Sequence, residues 1–237
     1  MTARVLDADR AGAGWHRLAK AFPIMEVLIA LALLLILLPA FAMVAILIYL
    51  EDEGPVFFSQ TRLGRDGRPF ALLKFRKFTR NCGATGRAVT VSGDKRLTRV
   101  GRCLEHTKLD ELPQLWNILR GDMALVGPRP ESMFFADCFS GVHRNLLHYR
   151  PGIFGPAQAL FRHEKTMYPE GCDPEEFYRQ VLFPTKARID LAYYPERSWL
   201  SDVGWICRCF LAVCGVPVRR GDLGAMAFAR DDIRGEG

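Results

Sequence analysis

The stretch Val27–Leu50 contains no charged residue in 24 positions, and Pro39 stands in its middle. No other feature restricts the fold of this chain as strongly. The run is too long for the core of a signal peptide, and no small-x-small cleavage site lies between it and the charged residues that follow. As one straight helix it would reach about 36 Å, enough to cross a hydrocarbon core of ~30 Å. A proline inside a helix removes one backbone hydrogen bond and crowds the preceding turn. Here it divides the run into arms of twelve and eleven residues, each only about 16–18 Å long. Both flanks are basic. Arg4, Arg10, Arg17 and Lys20 precede the run, and Arg62, Arg65, Arg68, Lys74, Arg76 and Lys77 follow it. A single span should carry its positive flank on one side. Two basic flanks fit a hairpin that enters and leaves the membrane on the same face. A kinked true span remains the alternative, since a central proline is tolerated there.

The other residues read as one domain with appendages. The chain has 237 residues, 49% of them hydrophobic and 24% charged, with a formal charge of +6. Such a charge suits nucleic acid, anionic lipid or phosphorylated substrates. There is no arginine-rich arm and no nucleic-acid-binding motif, so nucleic acid is not an expected partner. The seven cysteines form no CxxC pair and have no histidine at zinc spacing, which predicts reduced, structural thiols. Val56-Phe57-Phe58 and Phe70-Ala-Leu-Leu73 flank a turn at Gly64–Pro69 and predict a β-hairpin. Thr79–Arg96 is rich in Gly, Ser and Thr and reads as a loop over the site. Residues 175–191 have helical spacing. Trp199–Val218, with Trp199, Trp205 and Phe210 and the following Arg219-Arg220, reads as an amphipathic helix lying at a membrane interface, or else as a core-packing C-terminal helix. Residues 219–237 form a polar tail.

The chemistry concentrates between Thr107 and Pro130. Leu112, Leu115, Trp116 and Leu119 follow the spacing of one buried helix face, and Pro113 fits only the first turn of that helix. This predicts Asp110 as N-cap and Glu111 as the first helical residue, with Arg120-Gly121 closing the helix. The partial positive charge of the helix start would hold Asp110 ionised. Such a carboxylate can cap a helix, bind a cation or attack an electrophile. Pro128 and Pro130 fix the backbone on both sides of Arg129, whose planar fork suits phosphate oxygens.

Lys108-Leu-Asp-Glu-Leu-Pro-Gln-Leu-Trp-Asn-Ile-Leu-Arg-Gly-Asp-Met-Ala-Leu-Val-Gly-Pro-Arg-Pro130 resembles the signature of the bacterial sugar transferases, the monotopic phosphoglycosyl transferases of the undecaprenyl-phosphate sugar phosphotransferase type. Phe58-Ser-Gln-Thr-Arg-Leu-Gly-Arg-Asp-Gly-Arg-Pro-Phe70, Leu73-Lys-Phe-Arg-Lys-Phe78 and Tyr149-Arg-Pro-Gly-Ile-Phe-Gly-Pro-Ala-Gln158 resemble further segments of that family, in the same order. The likeness covers roughly residues 22–215.

The resemblance implies an α-rich α+β fold. Its parts would be a basic cytoplasmic segment (1–21), a re-entrant membrane helix broken at Pro39 (22–50), a compact cytoplasmic catalytic domain with a small β-hairpin and interfacial helices (51–218), and the tail (219–237). It implies an enzyme on the cytoplasmic face of the bacterial inner membrane. That enzyme moves a sugar-1-phosphate from a nucleotide diphosphate sugar to a polyprenol phosphate, through a phosphosugar-aspartate, and releases a nucleoside monophosphate. Asp110 would be the nucleophile. Glu111 would help hold Mg²⁺ together with Asp110, or take a proton. Arg129, Arg150, Lys74, Arg76, Lys108 and Arg162 would bind phosphate, and the backbones of Gly127 and Gly152 could approach it. A homodimer is compatible with the family. The chain departs from the pattern at Glu105, where a basic residue is usual, at Lys108, where Ser is usual, and at Phe161-Arg-His-Glu164, where Glu164 would replace an acid. Glu26 stands near the membrane entry, within reach of Arg17 or Lys20. The sugar itself is not readable from any segment.

Overall fold

The computed structural model describes residues 24–80, 96–216 and 218. The basic N-terminal segment, most of the Thr79–Arg96 loop and the polar tail lie outside the described residues.

The apolar run folds as two helices, α1 (Ile24–Ile36) and α2 (Leu38–Glu51), bent by 60°. The bend follows from Pro39, which sits in the first turn of α2 and has no N–H to return to the preceding turn. The ladder continues on either side, with Leu37 N donating to Leu33 O and Phe41 N to Leu37 O, both at 2.9 Å. Among the described residues no single helix is long and apolar enough to cross a membrane, but the bent pair together could. The pair is two-sided. Ala30, Val44 and Ile48 are buried against the rest of the chain, while Leu35, Ile36, Leu38 and Leu50 are exposed.

Strands β1 (Phe57–Leu63) and β2 (Pro69–Phe75) form the expected hairpin, antiparallel from Phe57 opposite Phe75 to Leu63 opposite Pro69. Helix α3 (Arg99–Thr107) is capped by the Thr98 side chain, which accepts from Gly101 N. A short 3-10 turn (Leu109–Glu111) leads to α4 (Gln114–Leu119), and Gly121 at φ 81° ends that helix as expected. Strand β3 (Ala124–Val126) pairs in parallel with β4 (Gly152–Phe154). Two 3-10 segments lie between them, Met133–Cys138 and Gly141–His148. Helix α5 (Pro156–Leu160) follows β4, and α6 (Pro174–Phe177) runs through a π turn (Tyr178–Leu182) into α7 (Phe183–Tyr193). Helix α8 (Trp199–Val213) opens with a capping box of Ser198 and Ser201. Among the described residues the architecture is helix-rich with two small two-stranded sheets.

Three apolar clusters hold these elements together. The largest gathers Val126, Phe135, Leu182, Phe183 and Trp205. The second joins Ala30 of α1 to Leu72, Leu115, Ile118 and Met123, and the third joins Val44 and Ile48 of α2 to Phe75 and Leu104. The broken helix therefore shares two of the three clusters with the rest of the chain. Helix α8 combines features of both readings made for it. Trp205, Cys209 and Ala212 face the core, while Trp199, Leu200, Val203 and Phe210 are exposed.

The helix after the dyad departs from expectation. It begins at Gln114, so Asp110 is not its N-cap and lies inside the 3-10 turn. That turn has about three residues per revolution and shifts the buried face. Gln114, Leu115, Asn117 and Ile118 are buried, and Trp116 is 52% exposed. Asn117 fixes this phase. Its Oδ1 accepts from Leu73 N at 3.0 Å and its Nδ2 donates to Ala71 O at 2.8 Å, tying α4 to β2.

Candidate active site

Lys108 closes α3 and opens the dyad turn in one residue, at φ 63° and ψ 13°. A left-handed conformation is uncommon for a side-chain-bearing residue and costs backbone energy, and such positions gather at functional sites. The kink swings Asp110 and Glu111 away from the α3 axis into a cavity of about 700 Å³. Its floor is charged, with Asp110, Glu111, Lys74, Lys77, Lys108 and Arg129. One side is apolar and comes from Ile29 and Leu33 of α1 and Ile206, Phe210 and Val213 of α8.

Asp110 is only 2% exposed. Its Oδ1 has no hydrogen-bond partner among the described residues, and its Oδ2 lies 3.9 Å from Lys77 Nζ. Burial pushes the Asp110 carboxyl above its ordinary value, with Lys74 opposing this and the neighbouring Glu111 adding to it. The expected stabilisation of the ionised form by a helix start is therefore absent: burial outweighs the neighbouring Lys74, Lys77 and Lys108. Glu111 behaves oppositely. Burial raises it, but Lys74 (2.9 Å from Oε1), Lys108 and Arg129 outweigh burial and hold it well below the usual carboxylate range. Glu111 raises Lys108 in turn, while burial and the neighbouring Arg129 and Lys74 bring it below its ordinary value. Arg129 is lowered by burial but raised overall, because Glu111, Glu164 and Glu131 surround it.

The cavity thus brings together Asp110, Glu111, Lys74, Lys108, Arg129 and Arg162. Two expected phosphate ligands are used elsewhere. Arg76 is 8% exposed and binds Asp52, the C-cap of α2, with Nη1 2.6 Å from Oδ2 and Nη2 on the backbone carbonyl. Arg150 donates from Nη2 to Glu26 Oε2 at 2.8 Å, while Glu26 Oε1 accepts from Leu125 N at 3.2 Å. Arg150 therefore clasps α1 to the β3–β4 sheet. Arg17 and Lys20, named as partners for Glu26, lie outside the described residues. The backbones of Gly127 and Gly152 are likewise committed. Their N–H groups donate to Phe154 O at 3.0 Å and Pro128 O at 2.9 Å. A Cβ on Gly152 would stand 2.0 Å from Gly127 N, so both glycines serve strand contact rather than phosphate approach.

Other residues of the cavity escaped sequence reasoning. Arg62 and Lys77 counted there only as flanking positive charge. Lys186 looks like an ordinary helical lysine, yet it is 5% exposed and donates to Glu164 Oε2 at 2.6 Å. Glu164 also accepts from the Tyr168 hydroxyl at 3.2 Å. A Lys at helical spacing gives no sign of burial; only the fold, which sets Lys186 against Glu164 and the Tyr178 hydroxyl, shows it.

The Bacterial sugar transferase family matches residues 15–215. The UDP-N-acetylgalactosamine-undecaprenyl-phosphate N-acetylgalactosaminephosphotransferase of Aeromonas hydrophila is 40% identical over 141 residues, which are 57% of this chain and 33% of that protein. The UDP-glucose:undecaprenyl-phosphate glucose-1-phosphate transferase of Caulobacter vibrioides is 44% identical over 140 residues, 57% of this chain and 52% of that protein. The exopolysaccharide production protein ExoY of Sinorhizobium fredii is 31% identical over 204 residues, 80% of this chain and 83% of that protein. The chain thus spans about a third of the Aeromonas relative and about half of the Caulobacter one. With a match over most of its length and the dyad, the Pro-Arg-Pro arginine and the broken helix at one cavity, this chain belongs to the bacterial sugar transferase family.

Proposed function

We propose that this protein transfers a sugar-1-phosphate from a nucleotide diphosphate sugar to a polyprenol phosphate, through a covalent intermediate on Asp110. The observation that carries the reading is Asp110 Oδ1, a buried carboxylate oxygen with no hydrogen-bond partner among the described residues, set among lysines on the floor of a cavity with an apolar side. Relatives named for undecaprenyl-phosphate sugar-phosphate transfer support the same substrate classes.

Oδ1 attacks the phosphorus that bears the sugar, and the P–O bond to the nucleoside monophosphate breaks, the electron pair leaving with that group. An oxygen of the polyprenol phosphate then attacks the same phosphorus, the acyl–phosphate bond breaks, and the Asp110 carboxylate is restored. Lys74, Lys108 and Arg129 stabilise the charge that gathers on the phosphoryl oxygens. Arg162 stands on the same cavity with one guanidinium nitrogen tied to His106 O at 2.7 Å. The apolar side from α1 and α8 receives the isoprenoid chain, and the exposed apolar face of the broken helix belongs in the inner leaflet of the cytoplasmic membrane, with the charged floor on the cytoplasmic side.

Mg²⁺ fits this donor set. No group of three His, Cys, Asp or Glu suited to a metal is found among the described residues. Mg²⁺ held mainly by substrate phosphates needs only one or two carboxylates. Asp110 and Glu111 would hold it, and it would neutralise the diphosphate. The low Glu111 pKa makes that residue a poor proton acceptor and a good ligand, which favours the metal role over the base role.

Asp110→Asn keeps the shape of the side chain and removes the nucleophile. The variant should lose all turnover with an unchanged melting temperature. Wild-type protein quenched with donor alone should carry a phosphosugar mass on the peptide containing Asp110. An adduct on another residue, or turnover by the Asn variant, overturns the mechanism. A panel of nucleotide sugars scored for monophosphate release would name the sugar.

A further inference from the structure

Lys77 stands between two carboxylates. Its Nζ is 3.9 Å from Asp110 Oδ2 and 3.1 Å from Glu105 Oε1. The Lys77 and Glu105 side chains are only 18% and 17% exposed, and both line the cavity. Charges this sheltered are screened much less than surface pairs. The backbone fixes their relation. A Cβ on Gly101 would stand 2.0 Å from the Lys77 carbonyl oxygen, and Thr98 N donates to that oxygen at 3.1 Å. The segment just after β2 is thus seated directly on α3, and Glu105 follows one helical turn after Gly101 on the same side. Lys74, by contrast, makes its hydrogen bond to Glu111, at 2.9 Å, and acts on Asp110 only through its charge.

We propose that Lys77 is the positioning residue of the dyad: Glu105 holds its ammonium from behind, and the ammonium orients Asp110 by engaging Oδ2 and leaving Oδ1 free to face the cavity. A free lysine has four rotatable side-chain bonds and would visit many positions. At 3.9 Å the contact to Asp110 is an ion pair and not a hydrogen bond, so it biases the carboxylate without occupying the reactive oxygen. Glu105 therefore has a use that its sign alone conceals. The cation expected at position 105 reaches the dyad from the segment just after β2, and the acid in its place anchors it.

This role rests on Asp110 as nucleophile, and the experiment separates the two. The full-length protein in membranes is mixed with donor alone, and the rate of monophosphate release and the adduct mass are followed against donor concentration. Lys77→Ala should slow the first half-reaction by about 100-fold, the scale for losing one preorganised charged group, with the half-saturating donor concentration changed by less than about threefold. Glu105→Gln should slow it by about fivefold, a smaller effect because the lysine itself remains. Glu105→Arg combined with Lys77→Ala should recover at least about tenfold over Lys77→Ala, since the long guanidinium can reach the same gap. Lys77→Arg should retain most of the rate, and covers the case in which the Ala variant does not fold. Lys77→Ala or Lys77→Arg behaving oppositely to this overturns the proposal: an Ala variant within threefold of wild type, a loss wholly in donor affinity, or a folded Arg variant as slow as Ala. A folded double variant with no recovery also overturns it. Wild-type protein that forms no adduct would instead refute the aspartyl route on which the role depends.

Discussion

Asn117 shows how a single side chain can set the geometry of the dyad from a distance. It is fully buried, and its amide closes two hydrogen bonds with the backbone of β2. Replacing it with Ala leaves Leu73 N and Ala71 O without those partners, at a cost of about 2–3 kcal/mol of stability. Asn117→Ala should therefore lower the chemical-denaturation midpoint with an unchanged slope; a shift equivalent to less than about 0.5 kcal/mol would show that the tie is unimportant. At this scale the sequence was informative where several expected residues fall close together in one segment or on its neighbours. Asp110, Glu111, Lys74, Lys108, Arg129 and Arg162 all meet at one cavity. It was uninformative where the decisive fact is a neighbour far along the chain. Arg76 and Arg150 look like the other basic residues, and only the fold shows that Asp52 and Glu26 engage them. The phase of α4 was misread for a local reason, because a 3-10 turn of three residues leaves no mark in an apolar repeat.

Among the elements, the broken helix was the most legible and its attachment the least. Charge-free length and a central proline foretold the bent pair, and the structure bends it by 60° beside that proline. What seats α1 on the β3–β4 sheet is the Glu26 carboxylate, bound at once to Arg150 and to the Leu125 N–H. Glu26 is 3% exposed, so removing its partner strands a buried charge. Arg150→Ala should cost about 3–5 kcal/mol, the usual scale for breaking one side of a buried pair. Limited proteolysis in a mild detergent should then cut first between α2 and β1. Equal resistance to protease, with activity lost through donor affinity, would return Arg150 to the phosphate site. The β-hairpin was legible from its apolar runs and turn residues. The β3–β4 pair was not, because two three-residue strands separated by 25 residues leave no periodic trace.

For the whole molecule, the charged floor and the apolar side of the cavity define the test of how it sits on a bilayer. If the broken helix enters and leaves on one face, Ala13→Cys and Gly67→Cys, each in a cysteine-free background, should both react with an impermeant thiol reagent only from the cytoplasmic side. Labelling of either from the opposite side would mean a true span. The cavity adds a further consequence. Ile29 and Leu33 of α1 form part of its apolar side, and Ala30 shares a core with Leu115 and Ile118 of the helix that follows the dyad. A shortened version starting after Glu51 would therefore lose more than its hold on lipid. It would have the cavity open along one flank and a core missing one layer, so a fragment beginning there should not be expected to fold as the whole chain does. Evolution faces the same constraint: the broken helix cannot be exchanged for another apolar helix without rebuilding the cavity around the replacement.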